Sequence, residues 1–247
     1  MIHKNEWPSD FPKVTQLTTI KKMKSHPDYV AAKSGDITAA YGLVSNLLGK
    51  TQLIKINELG KLYPNAIITG VYAEEETGKN KIPHALVSAI NGITGLQDDY
   101  NIVQINRTWH TGSNLSYRLA FRPKFTGTVQ ASREYIVVDD VVTSGATLGE
   151  LRYYIESQGG VVIHMVAAAA AKFSTNIVMT QTTFFDLISK YSIISLHEFL
   201  KEHNIYDGAY RYLSEAEARA FLCAGSINAA RNRITQARRE GSGRKIS

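Results

Sequence analysis

Cysteine is nearly absent from this chain. Its one thiol, Cys223, excludes an internal disulfide, so packing and hydrogen bonds must hold the fold. The amino terminus lacks the basic n-region, apolar h-region and small-residue cleavage site of a secreted precursor. A cytoplasmic protein is therefore expected. Long apolar runs are missing too: Val161 to Ala171 is interrupted by His164 and falls short of the roughly 20 residues that span a bilayer. No membrane contact is expected. No Gly-x-Gly-x-x-Gly turn joins a strand to a helix, which excludes a Rossmann dinucleotide site.

Material for a core is ample. Of the 247 residues, 44% are hydrophobic, enough for one large domain or a domain with an appended element. The net charge of +6 is uneven, since after residue 210 eight Lys/Arg stand against three Glu. Such a basic tail contacts nucleic acid, forms a solvated surface, or caps an anionic active site, and charge alone does not choose among these.

Short apolar runs at Ala66 to Val71, Asn101 to Ile105, Ile136 to Val138 and Val161 to Ala167 read as buried strands, with a further strand expected near Thr126 to Gln130. Pro83 to Ile90 has helical composition, and Leu148, Leu151 and Ile155 recur at helical spacing. The order β-α-β, long polar loop, β-α-β predicts an α/β fold, a mostly parallel central sheet flanked by helices. Residues 59–174 form that core. Residues 1–58 read as a helical addition, with an apolar face over Asp28 to Leu48 around a Ser34-Gly35-Asp36 turn. Residues 175–247 read as a helix-rich basic region, with helices at Phe184 to Ser189, Leu196 to His203 and Ser214 to Leu222, the last opened by a Ser214/Glu217 capping box.

The chemistry concentrates in Tyr135-Ile-Val-Val-Asp-Asp-Val-Val-Thr-Ser-Gly-Ala-Thr147. The strand should end at the aspartates, and the Gly/Ser/Thr turn leads straight into a helix. Gly145 permits a tight turn, and the free amides of the turn and of the helix start point into one small space, where a phosphate monoester fits. Thr143, Ser144 and Thr147 add hydroxyl donors. Asp139 and Asp140, as strong acceptors, suit the two hydroxyls of a ribose or the water shell of Mg²⁺. Ligands of open α/β sheets bind beyond the carboxyl ends of the strands.

Ile136 to Thr147 resembles the signature of the type I phosphoribosyltransferases: an apolar run, two acidic residues, two apolar residues, then Thr-Thr/Ser-Gly-x-Thr. The resemblance implies that Asp139 and Asp140 contact the ribose hydroxyls of phosphoribosyl pyrophosphate (PRPP), directly or through Mg²⁺, and that Thr143, Ser144, Gly145, Ala146 and Thr147 cradle its 5-phosphate. It implies a second anion loop after the 66–71 strand, placing Gly78, Lys79, Asn80 and Lys81 on the pyrophosphate. Glu74, Glu75 and Glu76 sit in the same stretch and would repel a diphosphate unless Mg²⁺ intervenes or they turn away. The long segment from Arg107 to Lys124 corresponds to a mobile hood, and members similar to competence-associated proteins carry arginines near its start and end. Those roles fall on Arg107 and Arg122. Members that salvage 6-oxopurines carry an aspartate where this chain has Thr143, so the acceptor is expected to be another base or amine.

The implied reaction is transfer of ribose 5-phosphate from PRPP to a nitrogenous acceptor with release of pyrophosphate. Cys223 lies outside the matched region and is expected to be structural. The competing expectation is a regulator that senses PRPP or a nucleotide without turnover and contacts nucleic acid or a protein through its basic tail, a reading favoured by the glutamates. A homodimer is also expected, anchored by Trp109, Tyr117, Phe121 and Phe125.

Overall fold

The computed structural model describes residues 10–75, 78–106, 115–172 and 174–243. The chain runs β1 (Thr15–Thr19), α1 (Ile20–Lys24), α2 (Tyr29–Lys33), α3 (Ile37–Leu47), α4 (Lys50–Leu62), β2 (Ile67–Gly70), β3 (Glu74–Glu75), β4 (Gly78–Lys79), α5 (Ile82–Thr94) and β5 (Gln97–Asp99). There follow β6 (Val103–Gln104), α6 (Leu115–Ala120), β7 (Phe125–Thr126), β8 (Glu134–Val142), α7 (Ala146–Ser157), β9 (Val161–Ala170), α8 (Gln181–Tyr191), α9 (Ile193–Glu202), α10 (Glu215–Cys223) and α11 (Ile227–Gly243).

The centre is a five-stranded sheet in the order β1-β9-β8-β2-β5, parallel at every pairing. Its middle strands are β-branched and alanine-rich because both faces are covered, the condition under which parallel strands lose polar alternation. One face packs against α3 and α5, where Ala40, Leu43, Val44 and Leu47 recur at helical spacing opposite Leu86, Val87 and Ile90. The other packs against Leu148, Leu151 and Ile155 of α7. The helices after residue 180 form a third apolar cluster around Leu196, Phe199, Phe221 and Ile234, and Leu119 of α6 joins it. Among the described residues no helix is long and apolar enough to cross a membrane.

Four expectations need correcting. The amino-terminal segment is not only helical, for β1 forms one edge of the sheet, paired with β9 through Thr15↔Val166 and Thr19↔Ala170. Its sequence, Thr-Gln-Leu-Thr-Thr, carries one apolar residue and so shows no strand periodicity. The stretch 126–130 does not join the sheet; β7 pairs antiparallel with β6 as a short ribbon. The sheet strand expected at 101–105 lies earlier, at β5, because Asp99 Oδ1 accepts from the Asn101 backbone N–H at 2.8 Å and turns the chain out of the sheet. Cys223 is exposed at the end of α10 and packs no core.

β1 is tied to its neighbour by a buried histidine. His164 Nε2 lies 2.9 Å from Thr15 Oγ1, and burial pushes the ring's pKa down to about 4. The unfolded chain takes up that proton near pH 6.5 and the folded one does not, so stability falls as pH drops from about 6.5 to about 4. Urea unfolding should show the difference between pH 7 and pH 4.5 shrinking by about 2 kcal/mol in His164→Gln. An equal difference in variant and wild type would contradict this account.

Candidate functional site

β8 runs past the aspartates to Val142, two residues further than expected, because β9 continues to pair with it through Asp139↔Ala167, Val141↔Ala169 and Val142↔Ala170. On the other side β2 stops sooner. Its ladder with β8 ends at Gly70↔Val138, followed by a bond from Val71 N–H to the Val138 carbonyl. The aspartates therefore sit where one neighbour has left the sheet and the other presents alanines, at the carboxyl ends of parallel strands.

Both carboxyls are buried, each residue 6% exposed. Asp139 Oδ1 accepts the Asp140 backbone N–H and Asp140 Oδ1 accepts that of Val141, each at 2.8 Å. Burial, reinforced by the Asp140 charge, pushes the Asp139 carboxyl well above the usual range. Burial acts on Asp140 in the same direction, but Lys33 outweighs it and holds that carboxyl low. The Lys33 ammonium, from the end of α2, lies 2.8 Å from Asp140 Oδ2. Nothing in the local sequence around Lys33 marks it, since its partner is 107 positions away.

After β8, Thr143 and Ser144 form the turn and Gly145, at φ +79°, opens α7. A Cβ at Gly145 would meet Ile177 Cδ1 at 2.8 Å, so both its backbone and its surroundings require glycine. The turn's carbonyls are already engaged: Ser174 Oγ donates to the Thr143 oxygen, and Ser214 Oγ donates to the Ser144 oxygen at 2.6 Å. Carbonyls tied back in this way leave the amide side of the turn, with the Thr147 amide of α7, to face an anion, while the Ala146 N–H reaches Ser144 Oγ at 3.4 Å. Arg118 of α6 donates to Thr143 Oγ1, and burial pulls its guanidinium pKa down. A cavity of about 660 Å³ adjoins the turn, lined by Thr143, Ser144 and Ser214, with Lys13 and Lys172 on its wall and Arg219 paired to Glu215 at 2.6 Å.

The expected second loop lies across α2. β3 and β4 form a small hairpin, with Glu74 opposite Lys79 and Glu75 opposite Gly78. Asn80 is buried and its Oδ1 accepts the Ile82 N–H at 3.1 Å, an interaction that sets the start of α5. The Lys81 N–H donates to the Ala32 carbonyl at 3.0 Å, which fixes the loop to the end of the helix that carries Lys33. Gly78, Lys79 and the Lys81 side chain remain the candidates for an anion, while Asn80 Oδ1 is engaged within the loop itself.

Arg122 was expected to face the ligand, and the structure places it elsewhere. Its Nε lies 2.6 Å from Glu150 Oε1 of α7, its Nη1 bonds Glu217 of α10, and its guanidinium carbon stands 4.3 Å over the Tyr206 ring. Burial works against the charged guanidinium, yet Glu217, Tyr206 and Glu150 raise its pKa well above the usual value. A cation held between two buried carboxylates cannot also balance a departing diphosphate. Gly149 lets this hub close, because a Cβ there would meet the Tyr206 hydroxyl at 2.3 Å. Arg107, with Trp109 and His110, lies outside the described residues. Of the aromatic residues expected at a dimer contact, Phe125 packs into the core beside the sheet, and Tyr117 pairs with Phe121 at 4.5 Å.

No family model matches the chain. The chain is 35% identical over 236 residues to Protein TraN of Escherichia coli, covering 95% of this chain and 52% of that protein. It is also 35% identical over 153 residues to an uncharacterized protein of Haemophilus influenzae, covering 62% of this chain and 34% of that one. The chain thus spans about half the length of the first relative and a third of the second. Among solved structures, adenine phosphoribosyltransferase from Leishmania donovani is 12% identical with a TM-score of 0.38, over 84% of this chain and 83% of that one. A second adenine phosphoribosyltransferase is 15% identical with a TM-score of 0.32, over 50% and 70%. Scores this low carry no argument, and the fold rests on the strand order described above.

Arg122 gives the sharpest test of this geometry. Arg122→Met leaves Glu150 and Glu217 buried without their cation and should cost about 3–5 kcal/mol in urea unfolding. Unchanged stability would return Arg122 to the list of ligand-facing residues.

Proposed function

We propose that this site binds PRPP and transfers its ribose 5-phosphate to a nitrogenous acceptor. The observation that carries the reading is the junction at 139–147, where two buried carboxylates at a sheet's carboxyl edge run directly into a glycine turn whose carbonyls are tied back. Asp139 and Asp140 accept the ribose hydroxyls. The amides of residues 143–147, with the hydroxyls of Thr143, Ser144 and Thr147 and the Arg118 guanidinium, take the 5-phosphate. Gly78, Lys79 and Lys81 face the pyrophosphate.

In the reaction the bond from C1 to the pyrophosphate oxygen breaks and its electron pair leaves with the diphosphate. The acceptor nitrogen forms the new bond to C1 and loses a proton to solvent. Positioning and charge stabilisation are the protein's contribution, and no covalent nucleophile is needed. The donor set also fits hydrated Mg²⁺. That ion is commonly held by one or two carboxylates plus ligand phosphates, and the raised Asp139 carboxyl gains from an adjacent cation. When bound, Mg²⁺ would screen the diphosphate charge, with Asp139 and Asp140 holding its waters. Thr143 in place of an aspartate disfavours a 6-oxopurine acceptor.

One observation favours a second reading. The hairpin that should meet pyrophosphate carries Glu74 and Glu75, as expected of a protein that senses PRPP without using it, with the exposed Arg233 and Arg239 of α11 facing solvent, where nucleic acid could meet them. Pyrophosphate release from PRPP against a panel of bases and amines separates the two. Turnover with one acceptor, lowered about 10²-fold in Asp139→Asn and Asp140→Asn, is expected. Tight binding without release on any acceptor would replace catalysis by sensing.

A further inference from the structure

Lys33 stands between the two halves of the site. It ends α2, its ammonium neutralises Asp140 at 2.8 Å, and its side chain keeps 20% of its surface exposed. The preceding residue, Ala32, accepts the Lys81 N–H at 3.0 Å through its carbonyl. Two residues on, a Cβ at Gly35 would lie 3.5 Å from the Lys79 carbonyl. The loop expected to meet a diphosphate is therefore bonded to the same short helix that supplies the counter-ion of the acidic pair. A lysine ammonium is a compact charge on a flexible four-carbon stem, suited to exchanging one oxyanion for another nearby.

Resting on the reading just given, we propose that Lys33 is a displaceable counter-ion that occupies Asp140 in the free protein and transfers to the ligand's diphosphate on binding. Hydroxyl donors arriving at Asp140 replace the bond that Lys33 supplied. The released ammonium adds a positive charge beside Gly78 and Lys79, a loop whose own hairpin carries two glutamates. Lys33 thereby makes the site prefer a sugar phosphate bearing an anionic group on C1 over the same sugar phosphate without one.

Equilibrium dialysis of PRPP and of ribose 5-phosphate against wild type, Lys33→Met and Lys33→Arg reads that preference as a ratio of affinities. In Lys33→Met the PRPP affinity should fall about tenfold or more while ribose 5-phosphate binds as well or better, and Lys33→Arg should keep most of the ratio. Should Lys33→Met not fold, Lys33→Gln in an Asp140→Asn background removes the buried charge, and its ratio should drop about tenfold below that of Asp140→Asn alone. An unchanged ratio, or equal losses for both ligands, overturns the role given to Lys33. A wild-type protein that binds neither ligand overturns the PRPP reading itself, and Lys33's role with it.

Discussion

Two adjacent carboxylates inside a buried strand impose the constraint on which the rest of this structure depends. Burying an ionised carboxyl is costly unless it is paired or hydrogen-bonded, yet β8 carries Asp139 and Asp140 where every other residue from Tyr135 to Val138 is apolar and fully buried. The chain meets the cost with local backbone N–H donors and with one cation from far upstream. The Lys33 bond requires α2 to lie over the sheet edge, which follows from β1 pairing with β9 and leading into α1 and α2. The alanines at 167–170 of β9 leave room beside the carboxyls that larger side chains would fill.

The carboxyl-terminal region belongs to the same design. Ser214 opens α10 with a capping box to Glu217 and also bonds the Ser144 carbonyl. Glu217 in turn accepts from the Ser214 backbone, the Tyr206 hydroxyl and Arg122. A single buried glutamate thus couples the helix cap, the 143–147 turn and the end of the segment that carries Arg118. α11 packs against α6 as well, so the basic tail supports the helix whose Arg118 reaches Thr143. Removing this region would leave the Ser144 carbonyl without its Ser214 partner and reopen it to compete with an anion.

Much of this was legible in the sequence. The strand-aspartate-turn-helix order at 135–157 was readable because it is local: a β-branched run, a glycine and a helical stripe each leave a periodic signal. The helices of α8 to α10 were readable for the same reason. β1 and β5 were not, since edge strands are partly polar and Gln97-Asp98-Asp99 carries no apolar residue. The positions of Lys33 and Arg122 could not be read either. Both are cations whose partners lie on other elements, and sequence shows the presence of charge without its pairing. Arg118 and Arg122 stand four residues apart in one segment, and only packing decides that the first meets Thr143 while the second is sealed between Glu150 and Glu217.

The central claim is that residues 139–147 form a sugar-phosphate site. Isothermal titration of the full chain with PRPP in the presence of Mg²⁺ tests it most directly. Saturable binding of one ligand per chain, greatly weakened in Asp139→Asn, is the predicted result. Absence of binding by PRPP, ribose 5-phosphate and nucleoside monophosphates alike, in a protein that unfolds cooperatively, would contradict it.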